Sequence, residues 1–288
     1  TFAPGSSNGA TQSVTVTATA DADVEGDETI NLALAGVTGT GVSLGTPAAH
    51  MVTITDDDAA TIAFAAGTSA AAEAGGTSTV AVTLTVPGGG SIKGAAAVEF
   101  SDAGTGSATS GSDYQAVATQ TVTFAAGSSD GATQTVTVTA TADADVEGDE
   151  TINLALAGVT GTGVSLGTPS THVVTITDDD MATIAFAAAS STAAEAGGTS
   201  TITVTLTVPG GGDIKNAATV ELSDAGTGSA TSGADYQAVA TQTLTFAAGS
   251  SDGATQSVTV TATADADVEG DETVNLALAS VTGTGVSL

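Results

Sequence analysis

The nonapeptide DADVEGDET occurs at residues 21–29, 143–151 and 265–273, and five of its nine residues are carboxylic acids. A second acidic string, Asp-Asp-Asp, occurs at 56–58 and 178–180. The whole chain sets 32 acids against two basic side chains, Lys93 and Lys215, for a formal net charge of −30. Two carboxylates about 5 Å apart repel by roughly 0.8 kcal/mol in bulk water and roughly 3 kcal/mol at an effective dielectric of about 20. Solvated turns are the simplest use for such residues, since Asp and Gly belong in turns. Several acids clustered without a basic neighbour nevertheless destabilise a fold unless a cation joins them. Hard oxygen donors, in a chain with no Cys and only two His, point to Ca²⁺ ahead of Mg²⁺, which holds on to its waters.

The loop is not an EF-hand. Asp143, Asp145, Glu147 and Gly148 fall at positions 1, 3, 5 and 6 of that motif, but position 12 is Leu154 instead of a bidentate Glu. The flanking sequence also has the character of strands, not helices. The charge excludes other partners. Two lysines cannot neutralise a phosphate backbone, so nucleic acid is not expected, and anionic membrane surfaces would repel the chain. No apolar run is long enough to insert into a bilayer. Without Cys there is neither a disulfide framework nor a thiolate metal site. A nucleophile–base pair is not evident either, and no enzymatic role is expected. His50 and His172 read as exposed strand-edge residues, and Tyr114 and Tyr236 as packing and turn residues.

Positioning of the acids follows from an internal repeat. Thr1-Phe2 recurs as Thr123-Phe124 and Thr245-Phe246, and Glu73 recurs as Glu195, each at an offset of 122 residues. Residues 1–58 differ from 123–180 at only six positions. The expected organisation is the second half of a repeat at 1–58, a complete repeat at 59–180, and a repeat at 181–288 lacking its last strand. The chain therefore reads as a window on a longer array. Within a repeat the hydrophobic period is two, as in SVTVTATA (Val14, Val16), TVAVTLTV (Val80, Val82, Leu84, Val86), TINLAL (Ile152, Leu154, Leu156) and HVVTIT (Val174, Ile176). About seven such strands per repeat, with no sustained helical period, predict an all-β fold of tandem Ig-like antiparallel β-sandwich modules. DADVEGDET would then cap a hairpin at one pole, and the Asp triplet would stand at the junction with the next module.

DVEGDETINLALAGVTGTGVSLGTPSTHVVTITDDD resembles the second half of a Calx-β domain, and ATSGSDYQAV with TVTFAAGSSDGATQTVTV resembles its middle. The resemblance covers essentially the whole chain. It implies an Ig-like sandwich that binds Ca²⁺ at one pole through an acid after the first strand, an aspartate before GSDY, the EGDE loop and the terminal aspartates. Carried over residue by residue, it implies Glu73, Asp102, Asp143, Glu147, Glu150, Asp178, Asp179 and Asp180 in the complete repeat. Ala144 stands where strong binders have a second aspartate, and Asp145 is expected to compensate. The third repeat offers Glu195, Asp224, Asp265, Asp267, Glu269 and Glu272. The first half-repeat offers Asp21, Asp23, Glu25, Glu28, Asp56, Asp57 and Asp58.

The function expected from this reading is structural: a stretch of a secreted or cell-surface filament or adhesin, stiffened by Ca²⁺ at module poles, with neighbouring repeats as partners. A Ca²⁺-sensing regulatory module of a membrane protein is the alternative. A fibre subunit that assembles by strand complementation at the incomplete third repeat is another.

Overall fold

A computed structural model describes all residues, 1–288, and contains strands but no helix. The complete repeat is built from nine strands: β3 (Ala60–Phe64), β4 (Thr68–Ala72), β5 (Thr77–Thr85), β6 (Ala96–Asp102), β7 (Gln120–Phe124), β8 (Thr133–Thr139), β9 (Glu150–Thr160), β10 (Val164–Leu166) and β11 (Thr171–Thr177). They follow β1 (Glu28–Ala33) and β2 (Ala49–Ile54) of the half-repeat. One sheet has the order β10-β3-β5-β8 and the other β4-β11-β9-β6-β7. Their apolar faces meet in a core that includes Phe64, Leu84, Phe100, Phe124 and Leu154, with Phe64 edge-on to Phe100 at 5.9 Å. The alternating residues of β5, β8, β9 and β11 supply this core, because a period of two places every second side chain on one face.

Three sequence expectations are modified. Nine strands stand where about seven were expected, because short edge strands carry little sequence signal. Two edge pairs, β10 with β3 and β11 with β4, are parallel, while the central ladders are antiparallel. DADVEGDET does not cap a hairpin. It follows β8, which pairs with β5, and leads into β9, which pairs with β11 and β6, so the loop crosses from one sheet to the other.

The partial repeats show what each strand needs from its neighbours. SVTVTATA forms no strand in the half-repeat, and Val14 is 87% exposed, because the strand that would pair with it is absent from residues 1–58. The third repeat contains β12 (Ala182–Phe186), β13 (Thr199–Thr207), β14 (Asp213–Ile214), β15 (Ala218–Asp224), β16 (Gln242–Phe246), β17 (Ser250–Ser251), β18 (Thr255–Thr261), β19 (Leu276–Thr282) and β20 (Val286–Ser287). Its second sheet has only three strands, β16-β15-β19. Residues 190–194, the counterparts of β4, are irregular, because β4 pairs only with β11 and the third repeat has no β11.

His172 is buried, contrary to expectation. Its Nε2 lies 2.7 Å from Ser69 Oγ, its Nδ1 lies 2.7 Å from the Ala66 carbonyl, and Ser69 bonds Ser78 at 2.6 Å. It shares the inward face of β11 with Val174 and Ile176 and packs against Phe64. His172 and Ser78 are buried, and Ser69 is partly exposed.

Candidate metal centre

Three segments converge at one pole of the complete repeat. Glu73 directly follows β4, and its N–H donates to the Thr177 carbonyl at 3.0 Å, which sets it beside the end of β11. Asp178–Asp180 continue from β11. The crossing loop is then laced to them, since the Asp178 carboxylate accepts the N–H groups of Gly148 at 2.7 Å and Glu147 at 3.3 Å. Asp178 also accepts the Asp180 N–H, and Asp143 accepts the Asp145 N–H in a tight Asx turn. Gly148 sits at φ 87°, a left-handed conformation that the loop needs in order to turn toward Asp178.

The result is three overlapping triads whose carboxylate oxygens lie within 4.8 Å of one another: Glu73/Asp178/Asp180, Glu73/Asp143/Glu147 and Asp113/Glu147/Glu150. Glu73 joins the first two and Glu147 the last two. Glu73 is only 3% exposed. Its Oε1, and Glu150 Oε2, are buried with no hydrogen-bond partner. Leaving buried carboxylate oxygens unpaired is costly, and the costs appear in the protonation equilibria. Burial, aggravated by Asp143, Asp178, Glu147 and Asp180, pushes Glu73 up to about 8. Burial together with Asp113 and Asp143 raises Glu147 to about 7, and burial with the adjoining Asp113 raises Glu150 to about 7. Asp180 is raised by burial and by its neighbours Asp179 and Asp178. The donor set is all oxygen, its charge is uncompensated, and two of its buried atoms point at nothing. Those properties fit a hard divalent cation, which Glu73, Asp113, Asp143, Glu147, Glu150, Asp178 and Asp180 would hold. Its chemistry here would be charge neutralisation and cross-linking of the three segments.

Of the residues named from sequence, Glu73, Asp143, Glu147, Glu150, Asp178 and Asp180 are brought together. Asp179 is exposed and outside the triads. Asp102 turns away: it accepts the Tyr114 hydroxyl at 2.5 Å and the Gly104 N–H, which locks the loop after β6. Asp224 is held in the same way by Tyr236. Asp113, within GSDY, takes the place expected for Asp102, and Asp235 is its counterpart in the third repeat. Asp113 also accepts the Thr109 N–H, so its local turn role masks its contribution to the centre. In the third repeat only Asp235, Glu269 and Glu272 form a triad. Glu195 is exposed where Glu73 is buried, because the strand that would cover it is missing, and Asp265 and Asp267 are exposed as well. In the half-repeat, Asp21, Glu25, Glu28, Asp56, Asp57 and Asp58 line one shallow recess without forming a close triad. Asp56 is lowered there by the N–H groups of Gly26, Asp58 and Glu25.

Asp145 does not compensate for Ala144. It reaches into the next repeat, where it forms an ion pair with Lys215 and accepts the Asp213 N–H at 2.7 Å. Burial opposes its ionisation, but the Lys215 and Asp213 hydrogen bonds outweigh burial and lower it. Asp23 pairs with Lys93 at 2.5 Å in the same way and is lowered to about 2 by that lysine and Ser91. Between these anchors Val146 is fully buried in the core of the third repeat, beside Ile184, Leu206 and Ile214. Its N–H donates to the Asp213 carbonyl at 2.8 Å, and its carbonyl accepts the Lys215 N–H at 2.9 Å. Val24 is buried likewise in the complete repeat, against Ile92. The socket is closed by the Pro-Gly-Gly-Gly turn. A Cβ on Gly212 would lie 1.8 Å from the Ala144 carbonyl oxygen, and one on Gly210 would lie 2.8 Å from Ala144 Cβ. Ala144 is therefore the small residue that this junction requires. The sequence signal for the plug was an apolar residue inside an acidic string, together with two lysines spaced one repeat apart.

Solved structures similar to the chain include the CBD12 crystal structure from CALX1.2, 22% identical, covering 77% of this chain and 81% of that one at a TM-score of 0.36. The crystal structure of the apo-form Calx CBD1 domain is 25% identical, covering 42% of this chain and 98% of that one, also at 0.36. No curated protein matches the sequence. The family model for the Calx-beta domain matches residues 1–58, 55–180 and 178–286, nearly every residue of the chain, and the protein belongs to the Calx-beta domain family.

Proposed function

We propose that this chain is a structural repeat region of a secreted or cell-surface filament or adhesin, in which Ca²⁺ bound at each module pole stiffens the junction to the next module. One observation carries the reading: a single loop supplies both the acids of the centre and the plug of the junction. Asp143 and Glu147 face the triads, while Ala144, Asp145 and Val146 between and beside them enter the following repeat. A cation that fixes this loop therefore fixes the seam. Near-identical repeats suit a spacer whose length matters more than recognition by individual units. Extracellular Ca²⁺ modules commonly bind at about 10⁻⁴–10⁻³ M, in keeping with an external supply. Membership of the Calx-beta family leaves a Ca²⁺-sensing regulatory module of a membrane protein as a second reading, which requires repeats of different affinity. Small-angle scattering and thermal melting of the chain, in EDTA and in millimolar Ca²⁺, test the proposal. Ca²⁺ should raise the melting temperature and narrow the distribution of inter-module distances. No change in either quantity would overturn it.

A further inference from the structure

Two strands of the fold have an open side that no other part of the chain covers. β8 pairs only with β5, and β18 only with β13. The even-numbered residues of β8 bond toward β5, since the Leu84 N–H donates to the Ala132 carbonyl at 2.9 Å and the Ala140 N–H to the Gly76 carbonyl at 2.9 Å. The N–H and C=O groups of Thr133, Thr135 and Thr137 therefore point away from β5, as the Thr139 carbonyl does in accepting the Gln115 N–H. All three threonines are exposed. Thr255, Ser257 and Thr259 of β18 repeat the arrangement, with the Gln237 N–H donating to the Thr261 carbonyl. The open side belongs to the module itself: the complete repeat precedes β18, residues 181–288 follow β8, and neither covers the edge.

Natural edge strands are blunted by brevity, charge, proline or a bulge. The other edges of the complete repeat, β4, β7 and β10, are three to five residues long, whereas β8 has seven. β8 and β18 carry no proline and run in unbroken register, and none of the 32 acids lies on them or on β5 and β13. Beside β18 opens a recess of about 210 Å³, lined by Ala238, Val239, Ala240, Val258 and Thr259 among others, which can take an aliphatic side chain of an incoming strand. We propose that these edges pair antiparallel with the same edges of a second copy of this chain, extending a four-stranded sheet from one molecule into the next. An occupant of this edge must be an uncharged strand that alternates Thr with Val, and β8 itself has that character. β5 and β8 already join in this pattern, with Thr79 opposite Thr137 and Val80 opposite Val136. Centred on Thr135, two copies of β8 set Thr133 opposite Thr137 and Thr135 opposite Thr135, and the open N–H and C=O groups of both strands are satisfied. One such pairing buries less than the roughly 1,200 Å² of a stable interface, so it is weak alone. Two edges per chain, one repeat apart, strengthen each other by acting together. The pairing is lateral and needs no metal, so it stands apart from the Ca²⁺-stiffened junctions proposed above.

The test is sedimentation-equilibrium ultracentrifugation of the full chain up to submillimolar concentration, in EDTA and in concentrated NaCl that screens the net charge of −30. Wild type should associate as its concentration rises, and amide exchange at Thr133, Thr135 and Thr137 should slow in parallel. Thr135→Pro/Ser257→Pro should remain monomeric, because each proline deletes an outward N–H that the resident ladder does not use. A wild type that stays monomeric overturns the proposal. Equal association of the proline variant also overturns it, since contacts elsewhere on the chain would then be responsible. Should the prolines lower the melting temperature, Thr135→Lys/Ser257→Lys decides by the same criteria. The lysines reduce the net negative charge, which favours indiscriminate association, yet they set like charges opposite each other across the proposed pairing and should abolish it.

Discussion

Asp145 forms an ion pair with Lys215 of the next repeat, while its neighbours in the loop, Asp143 and Glu147, face the acidic centre. The pair is partly exposed, and its side chains retain 42% and 25% of their accessible surface. Exposed pairs contribute roughly 0–1 kcal/mol and are screened by salt. Lys215→Met should therefore lower the melting temperature by no more than about 2–4 °C at low ionic strength. In concentrated salt the difference should disappear, and calorimetry at two salt concentrations reads this directly.

The larger junction contribution comes from Val146, because burial of an apolar side chain is not screened. Removing two methyl groups from a fully buried site costs about 1.5–3 kcal/mol, from lost transfer energy and the cavity left behind. Val146→Ala should lower the stability of the third repeat by that amount, and Val146→Asp by more. Urea unfolding followed by hydrogen exchange should localise the loss to the core around Ile184 and Ile214. The core around Phe64 and Phe100 should keep its protection, since Val146 does not contribute to it.

The strands were legible because their signal is local. Alternation in β5, β8, β9 and β11 names the inward residues without reference to anything distant. The same parity placed His172 on the inward face with Val174 and Ile176, but a lone polar residue at the start of a strand reads as solvent-facing unless Ser69 is known to meet it. SVTVTATA shows the converse, a correct alternation that forms no strand at residues 13–20 because its neighbour is absent. The acids Glu73, Asp143, Glu147, Glu150, Asp178 and Asp180 were legible through the resemblance, which supplies the long-range convergence that spacing alone does not. Asp113 escaped because it also caps a turn at Thr109, an ordinary use of Asp. The plug escaped because its socket lies in another repeat, as the Asp213-to-Asp145 hydrogen bond shows.

The acidic centre gives the metal-free protein an inverted pH dependence. Glu73, raised to about 8, and Glu147 and Glu150, raised to about 7, start from an ordinary value of 4.5. Below about pH 4.5 both folded and unfolded chains hold these protons, and the groups add no penalty. Between 4.5 and 8 the folded state binds more protons than the unfolded state, so stability falls as pH rises. In EDTA the melting temperature should decline from about pH 5 to pH 8, opposite to the behaviour of a protein stabilised by ion-paired carboxylates. With saturating Ca²⁺ the decline should flatten. Titration calorimetry near pH 7 in buffers of different ionisation enthalpy should show protons released on binding.

Glu73→Gln separates repulsion from ligation, because the amide keeps the shape while removing the charge. Glu73 belongs to two of the three triads and has a buried oxygen without a partner, so in the metal-free protein its ionised form opposes Asp143, Asp178, Glu147 and Asp180 at once. At pH 8 in EDTA the variant should melt above wild type. In excess Ca²⁺ the order should reverse, since wild type gains an anionic ligand in two triads and the variant offers only a neutral carbonyl oxygen. Asp113→Asn provides the contrast. It removes charge from the third triad alone, so it should weaken Ca²⁺ stabilisation less than Glu73→Gln does. Crossing of the wild-type and Glu73→Gln melting curves as Ca²⁺ is added is the result expected of a metal centre. If Glu73→Gln melts above wild type at every Ca²⁺ concentration, the acids are merely crowded together and hold no ion.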